Sequence, residues 1–226
     1  MLKLPTLCIL CNQSTTTGGL CTSCHKALPW NDRPCWRCGL GDLAVGRVCC
    51  ESCQLKPPLY ARTVAPLQYR DQCARWVVKA KHQSGLVEAR LLGQLLATAV
   101  AHQYLGATLP TALIPVPLSW RRLLWRGHNQ AVLIAEPIQR ATRIKLHRRG
   151  VQRIRHTPIQ PGLGYRERAL NINDAFRVRK PWHGETVALI DDVMTTGATA
   201  SALTAALLQA GVAEVHVWCA TRAAAS

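Results

Sequence analysis

Four Cys-x-x-Cys pairs within the first 53 residues constrain this chain more than any other feature. The pairs are separated by nine, ten and eleven residues and consist of Cys8 and Cys11, Cys21 and Cys24, Cys35 and Cys38, and Cys50 and Cys53. A two-residue spacer lets both sulfurs of a pair reach one tetrahedral Zn²⁺, and four thiolates complete its coordination, so no position is left for catalysis. The sequence therefore predicts two structural zinc sites, one held by the first two pairs and one by the last two.

Residues 1–58 contain few large apolar side chains, and such a segment needs the metal in order to fold. A structural zinc can contribute on the order of 10–16 kcal/mol of folding free energy. We interpret residues 1–58 as a double zinc ribbon that ends at Pro57-Pro58, and residues 59–226 as a second domain. The alternative, a redox pair of thioredoxin type, needs a strand-to-helix context that is absent here. Cys49 beside Cys50 leaves the register of the last pair open by one residue.

The positive charge is concentrated elsewhere in the chain. The 226 residues include 28 Lys+Arg and 12 Asp+Glu, a net charge of +16, and residues 119–180 alone hold 15 basic and 3 acidic side chains. Such an excess predicts an anionic partner. No apolar run approaches the roughly 20 residues of a membrane span, and residues 1–10 do not form a secretory signal. We therefore expect a cytoplasmic protein without membrane insertion, in which the cysteines stay reduced.

From Tyr60 onward, helical and strand-like patterns alternate. The apolar spacing predicts helices over residues 86–102, 129–143 and 198–210, and strands over residues 112–118, 186–190 and 214–220. Strands that alternate with helices in this way predict an α/β fold, a parallel sheet with helices on both faces.

The most informative stretch follows the strand at 186–190, where Asp191 and Asp192 precede the segment Thr195-Thr196-Gly197-Ala198-Thr199. In open α/β sheets, ligands bind outside the carboxyl ends of the strands. Successive backbone N–H groups ahead of a helix form an anion cradle, which a glycine lets a phosphate approach closely. The carboxylates would repel that phosphate, so we expect them to meet sugar hydroxyls or a Mg²⁺. A ribose 5-phosphate satisfies both requirements.

This stretch resembles the phosphoribosyl-pyrophosphate motif of type I phosphoribosyltransferases, and the whole chain is similar to the ComF family, in particular to its DNA utilization proteins. The resemblance covers essentially the full length. It is carried by the cysteine pairs, Lys81 with Gly85, Val116-Pro117-Leu118, Arg126-Gly-His-Asn-Gln130, Thr157-x-x-Gln160-x-x-Leu163, Arg168-x-x-Asn171, the loop from Asp191 to Thr199, and Val217-Trp-Cys-Ala-Thr-Arg222.

The resemblance implies a type I phosphoribosyltransferase-like domain and a role in natural competence or in the use of imported DNA. It also implies that phosphoribosyl pyrophosphate or a nucleotide phosphate binds at Asp191, Asp192, Thr195, Thr196, Gly197, Ala198 and Thr199. Lys81 and Arg126 join the two aspartates as candidate catalytic residues, on the pyrophosphate side. The chain departs from the family at His128, where an aromatic residue is usual.

The basic middle segment interleaves arginines with aromatic residues such as Trp120, Trp125 and Trp182. Proteins that bind single-stranded nucleic acid neutralise phosphates in this way while aromatic rings stack on bases. The candidate nucleic-acid contacts are Arg121, Arg122, Arg148, Arg149, Arg153 and Arg155, the last four expected on the flexible loop that covers the ligand in phosphoribosyltransferases. A solvated basic face is the alternative, although acidic residues are too sparse to pair with it. The same arginines could instead neutralise pyrophosphate.

Three hypotheses follow from the sequence. The first is a ComF-type protein that binds single-stranded DNA, and phosphoribosyl pyrophosphate or a nucleotide, in DNA uptake or utilization. The second is an active Mg²⁺-dependent phosphoribosyltransferase with an unidentified acceptor. The third makes the zinc ribbon an adaptor for a protein of the DNA-uptake machinery.

Overall fold

The computed structural model describes residues 6–15, 19–154 and 175–224. In the cysteine-rich segment, strands β1 (Thr6–Leu7) and β2 (Ser14–Thr15) pair in an antiparallel hairpin ahead of helix α1 (Thr22–Lys26), and helix α2 (Glu51–Leu55) closes the segment. Cys21 and Cys50 are the N-cap residues of these two helices. The second cysteine pair of each predicted site therefore lies on the first turn of a helix.

The rest of the chain alternates strands and helices, as the sequence predicts. The elements are β3 (Arg62–Val64), β4 (Leu67–Gln68), α3 (Asp71–Lys79), a 3₁₀ turn (Gln83–Gly85), α4 (Leu86–Gln103), β5 (Ala112–Pro115), α5 (Trp120–Arg126), α6 (Gln130–Thr142), β6 (Lys145–Leu146), β7 (Val151–Arg153), β8 (Phe176–Val178), β9 (Thr186–Met194), α7 (Ala198–Gln209) and β10 (Glu214–Arg222).

The main sheet is parallel throughout. Its strand order is β3-β10-β9-β5-β6, with β4 also paired to β10, while β7 and β8 form a separate antiparallel pair. Successive side chains of a strand point to opposite faces. Ile190 and Trp218 accordingly pack in a core with α3, α4 and α6, whereas Leu189 and Val217 pack against α7. The predicted α/β class with helices on both faces is confirmed.

Three strands differ in length from the sequence prediction, and β10 extends to Arg222 instead of ending at residue 220. Strand β5 ends at Pro115 instead of residue 118, next to Pro117, which has no N–H to continue a ladder. Strand β9 continues past residue 190 because β10 pairs with it as far as Met194. Asp191 and Asp192 therefore lie inside the strand and not after it.

The cysteine-rich segment packs directly on the sheet. Three successive carbonyl oxygens, those of Trp36, Arg37 and Cys38, accept hydrogen bonds from Thr63 N at 2.9 Å, Thr63 Oγ1 at 2.5 Å and Arg222 Nε at 2.9 Å. The guanidinium of Arg62 lies 3.9 Å from the centroid of the Trp36 ring. Within the described residues, no helix has the length and apolar character needed to cross a membrane.

Candidate functional site

The eight paired cysteines gather into two tetrads. The Sγ atoms of each tetrad all lie within 4.8 Å of one another, and the tetrads comprise Cys8, Cys11, Cys21 and Cys24, and Cys35, Cys38, Cys50 and Cys53. Four sulfurs about 2.3 Å from a tetrahedral ion are about 3.8 Å apart. The Cys11–Cys21 and Cys38–Cys50 sulfur distances are 3.6 and 3.7 Å. Each tetrad thus fits one metal ion, and the last pair is Cys50 with Cys53.

Backbone N–H groups lower the pKa of one cysteine in each tetrad and so favour the thiolate form that binds a metal ion. Burial raises the pKa of the Cys8 thiol, but N–H groups of Cys21, Cys11 and Leu10 oppose that effect and bring the pKa to about 6. The same balance brings the pKa of Cys35 to about 7. These cysteines are therefore available as thiolates, the form that binds metal ions, near neutral pH.

Asp192 is a buried carboxylate with partners from two other elements. Its Oδ2 lies 3.6 Å from Lys81 Nζ and accepts a hydrogen bond from Gln130 Nε2 at 3.3 Å, while Oδ1 accepts from the backbone N–H of Val193 at 2.8 Å. Arg126 Nη1 donates to Gln130 Oε1 at 3.2 Å. The structure thus brings three predicted site residues into one cluster and adds Gln130, for which the sequence suggested no role.

His128 holds the two basic members of this cluster in place. One ring nitrogen lies 2.9 Å from the carbonyl oxygen of Ala80, next to Lys81, and the other lies 3.0 Å from the carbonyl oxygen of Arg126. Gly85 allows the turn after Lys81 to fold tightly, because a Cβ there would lie 1.9 Å from the Lys79 carbonyl oxygen. The histidine ring lies between the segment after α3 and the end of α5, and its N–H donates to one of these two carbonyls, a hydrogen bond that a phenyl ring could not make.

Asp191 points to the opposite face of the sheet from Asp192, because the two residues are consecutive in a strand. It lines a pocket of about 50 Å³ together with the segment from Thr195 to Thr199. Burial raises the pKa of Asp191 well above its ordinary value, and the charge of Asp192 raises it further. A ligand that stabilises the ionised carboxylate would relieve this cost.

The turn between β9 and α7 depends on Gly197. Its φ is +77°, and a Cβ would lie 3.0 Å from Tyr60 Oη and 3.2 Å from Met194 Cε. Glycine is required for two reasons. Other residues rarely adopt this left-handed backbone conformation, and Tyr60 and Met194 leave little room for a Cβ atom. Thr195 and Thr196 are exposed and precede the first turn of α7. The start of a 12-residue helix can bind an anion through its N–H groups, so this turn has the features that the prediction of a phosphate site requires.

A second, larger cleft of about 580 Å³ lies beside this pocket. Its lining includes the apolar side chains of Trp120, Leu123, Val132 and Leu133, four arginines (Arg148, Arg149, Arg153 and Arg179), and Glu136, whose carboxylate accepts from Arg148 Nη2 at 2.9 Å. Trp120 is 63% exposed. Arg179 also lines the cleft, although it is not among the predicted nucleic-acid contacts. Its signal in the sequence is its position within the basic segment.

The structure places the predicted nucleic-acid contacts in different elements. Arg153 lies in strand β7 instead of a loop, because β7 pairs with β8. Burial and the charge of Arg122 lower the pKa of Arg153, whereas Asp191 raises it, so Arg153 joins the cleft to the Asp191 pocket. Arg121 lies 5.4 Å from the centroid of the Trp120 ring. Arg155 lies outside the described residues, as do the motifs from Thr157 to Leu163 and from Arg168 to Asn171.

Two curated proteins resemble the chain over nearly its whole length. DNA utilization protein YhgH of Escherichia coli O6:H1 is 34% identical over 227 residues, which cover 98% of this chain and 99% of that protein. Competence protein F of Haemophilus influenzae is 33% identical over 226 residues, covering 96% of each.

The chain belongs to the ComF family. No protein-family model matches it. Among solved structures, a purine phosphoribosyltransferase from Pyrococcus horikoshii Ot3 is similar with a TM-score of 0.32 and 18% identity, over 55% of this chain and 69% of that one.

In this ComF-family chain, distant sequence motifs meet at the carboxyl edge of the sheet. Asn129 is the N-cap of α6, where its Oδ1 accepts from Ala131 N at 3.0 Å and its Nδ2 donates to the carbonyl of Val116 at 3.0 Å. This links the motif after β5 to the motif that contains Gln130, and through Gln130 to Asp192. The described motifs therefore build one site from residues up to about 110 positions apart in the chain.

Proposed function

We propose that this ComF-family protein acts in the use of extracellular DNA, binding phosphoribosyl pyrophosphate or another ribose 5-phosphate compound at the 195–199 loop and single-stranded DNA in the adjoining cleft. One observation carries the first part of the proposal. Strand β9 presents Asp191, a carboxylate with a raised pKa, to the anion-binding turn that follows it. The phosphate would bind the turn, while Asp191 meets ribose hydroxyls or a Mg²⁺ bound with the ligand.

Calorimetric titration with ribose 5-phosphate and with phosphoribosyl pyrophosphate, with and without Mg²⁺, tests this part. We expect Asp191→Asn to weaken binding at least about tenfold, since it removes the negative charge and one of the two oxygens that could accept from hydroxyls or bind a metal. Glu185→Gln is the matched control, because that carboxylate lies at the opposite end of β9. Equal affinity in the wild type and in Asp191→Asn would refute the assignment of Asp191.

The DNA-binding part rests on the residues that line the cleft. They include an exposed tryptophan, apolar side chains and arginines, so bases can stack while phosphates are neutralised. Arg148 is paired with Glu136 at 2.9 Å, so the other three cleft arginines together with Arg121 would neutralise about four phosphates, which predicts a slope of about −2.8 for log K against log salt with single strands. Arg149→Ala should reduce this slope by about 0.7, whereas Arg75→Ala, an exposed arginine on α3, should not. A slope near zero would refute DNA binding by these residues.

We further propose that the ions in the two tetrads are Zn²⁺, because four thiolates at tetrahedral spacing favour zinc and leave no open coordination position. Metal analysis of protein purified without added metals should give about two zinc ions per chain. Cys38→Ser should reduce the content to about one. An iron content with the visible absorption of thiolate-bound iron would contradict the assignment.

The Lys81 cluster supports a second candidate, an active phosphoribosyltransferase. Lys81 contacts Asp192, the neighbour of Asp191 in β9, and Arg126 contacts Gln130, so two cations near the end of this strand could stabilise a departing pyrophosphate. This candidate predicts Mg²⁺-dependent release of pyrophosphate from phosphoribosyl pyrophosphate with a nucleobase-like acceptor. Arg126→Gln should then lower kcat more than affinity. Release at the uncatalysed rate with every base in a screen would leave binding as the function.

A further inference from the structure

Arg222, the last residue of β10, is a buried arginine to which the sequence motifs assigned no role. It is 8% exposed, and among the described residues its guanidinium donates to backbone carbonyl oxygens alone. Nη1 donates to Met194 at 3.0 Å, to Ala223 at 2.7 Å and to Thr195, while Nε donates to Cys38 at 2.9 Å. One side chain therefore touches both the start of the anion-binding loop and the second cysteine tetrad.

The contacts to Met194 and Thr195 set the direction of the loop's N–H groups. In a trans peptide the carbonyl and the following N–H point in opposite directions. When Arg222 holds the carbonyls of Met194 and Thr195 on its own side, the N–H groups of Thr195 and Thr196 point away from it. A buried positive charge also lies behind the loop, where it favours an anion on the other side.

The contact to Cys38 belongs to a short turn that the second metal site organises. Within the turn, the backbone N–H groups of Arg37 and Cys38 approach the sulfur of Cys35. The carbonyls of Trp36, Arg37 and Cys38 point outward to Thr63 and Arg222. A metal bound by Cys35 and Cys38 therefore fixes the carbonyl that Arg222 Nε uses.

We propose that Arg222 is a positioning residue that couples metal binding at the second tetrad to anion binding by the 195–199 loop. Metal at Cys35, Cys38, Cys50 and Cys53 orders the turn, the turn holds Arg222, and Arg222 aims the loop's N–H groups. For the identity of the anion, the inference rests on the function proposed above. The first tetrad is a natural control because it packs elsewhere, on α4, where a Cβ on Gly19 would lie 3.2 Å from Leu91 Cδ1.

Hydrogen exchange of the peptide that contains residues 195–199, followed by mass spectrometry without ligand, tests the coupling directly. Cys38→Ser should speed exchange in this peptide about tenfold, whereas Cys11→Ser, the matched change in the first tetrad, should alter it less than twofold. Arg222→Lys keeps the positive charge, but a lysine cannot donate to the Cys38 carbonyl and to the loop carbonyls at the same time. With metal bound, exchange in the 195–199 peptide of this variant should therefore be about tenfold faster than in the wild type. Removal of the metal by chelation should speed exchange in the wild type, whereas in Arg222→Lys it should speed exchange little further.

Calorimetric titration with ribose 5-phosphate gives a second measurement on the same proteins. We expect Cys38→Ser and Arg222→Lys each to weaken binding about tenfold, and Cys11→Ser to weaken it less than twofold. Equal effects of Cys38→Ser and Cys11→Ser on the loop, or wild-type exchange in Arg222→Lys, would overturn the coupling. If Arg222→Lys does not fold, the two cysteine variants still decide. If the wild type does not bind ribose 5-phosphate, the proposed function fails, and hydrogen exchange alone decides the coupling.

Discussion

The pair of Lys81 and Asp192 gives the sharpest quantitative test of the site. At 3.6 Å and an effective dielectric constant of about 20, two unit charges attract by about 4–5 kcal/mol. Part of this attraction is offset by desolvation, because the side chain of Asp192 is 5% exposed, and part is screened at Lys81, which is 28% exposed. Gln130 also keeps one hydrogen bond to the carboxylate when the lysine is removed. We therefore expect a net coupling of about 1–2 kcal/mol between the two side chains.

A double-mutant cycle of Lys81→Met and Asp192→Asn, with free energies of unfolding from urea titration at pH 7, measures that coupling. Lys81→Met alone should cost about 2 kcal/mol because it leaves a buried carboxylate without its cation, and the double variant should recover about half of the loss. The control is the cycle Arg70→Met with Asp71→Asn, a pair at 3.7 Å with side chains 62% and 74% exposed. That exposed pair should couple by less than about 0.5 kcal/mol. Similar coupling in the two cycles would refute the view that burial makes the Lys81 pair strong.

Three further predictions follow from the described site. Gly197→Ala should lower the free energy of unfolding by about 1–3 kcal/mol and weaken ribose 5-phosphate binding. Gly184→Ala has a similar φ of +85° but no neighbour within 4 Å, so calorimetry should show only a strain effect on stability and unchanged affinity. Because the folded-state pKa of Asp191 is raised, its contribution to stability is present at low pH and lost as pH rises from about 4 through the folded value. Asp191→Asn should therefore gain stability over the wild type at pH 8 relative to pH 5 in urea unfolding, and an unchanged difference would contradict the raised pKa. Chelation should lower the melting temperature by more than 10 °C in a thermal scan, since each tetrad has little apolar core of its own, and equal melting curves would argue against metal as a folding element.

The elements of the fold were predictable because their signals are local. The helix at 86–102 and the helix at 129–143 appear at nearly the predicted bounds, since apolar spacing and the Asn129 cap lie within the segments themselves. The ends of β5 and β9 were not predictable in this way. They depend on which strand lies alongside, and the pairing of Met194 with Arg222 joins residues 28 positions apart.

The residues of the site also divide into those with a local signal in the sequence and those without one. Asp191, Asp192 and the threonine-rich turn are consecutive, so their motif could be read from the sequence, and the grouping of cysteines followed from their order. Gln130 and Arg222 gave no comparable signal. Gln130 bonds a carboxylate 62 positions away, and the partners of Arg222 in the described part of the chain are backbone carbonyls, which any residue can supply. Contacts of this kind become visible only when the strands and the cysteine turn are brought together.

The two adjacent aspartates explain how a chain with a net charge of +16 keeps a carboxylate ready for a ligand. If both pointed to one face, Lys81 could neutralise the pair, and the site would have no unpaired acceptor. Because β9 continues through them, Asp192 contacts Lys81 and Gln130 on one face while Asp191 lines a pocket with the threonine-rich turn on the other. The cost is the raised pKa of Asp191, and only a partner that favours its ionised form, such as ribose hydroxyls or a divalent cation, would recover that cost. The strand register therefore separates a structural carboxylate from the one that the proposed ligand would use.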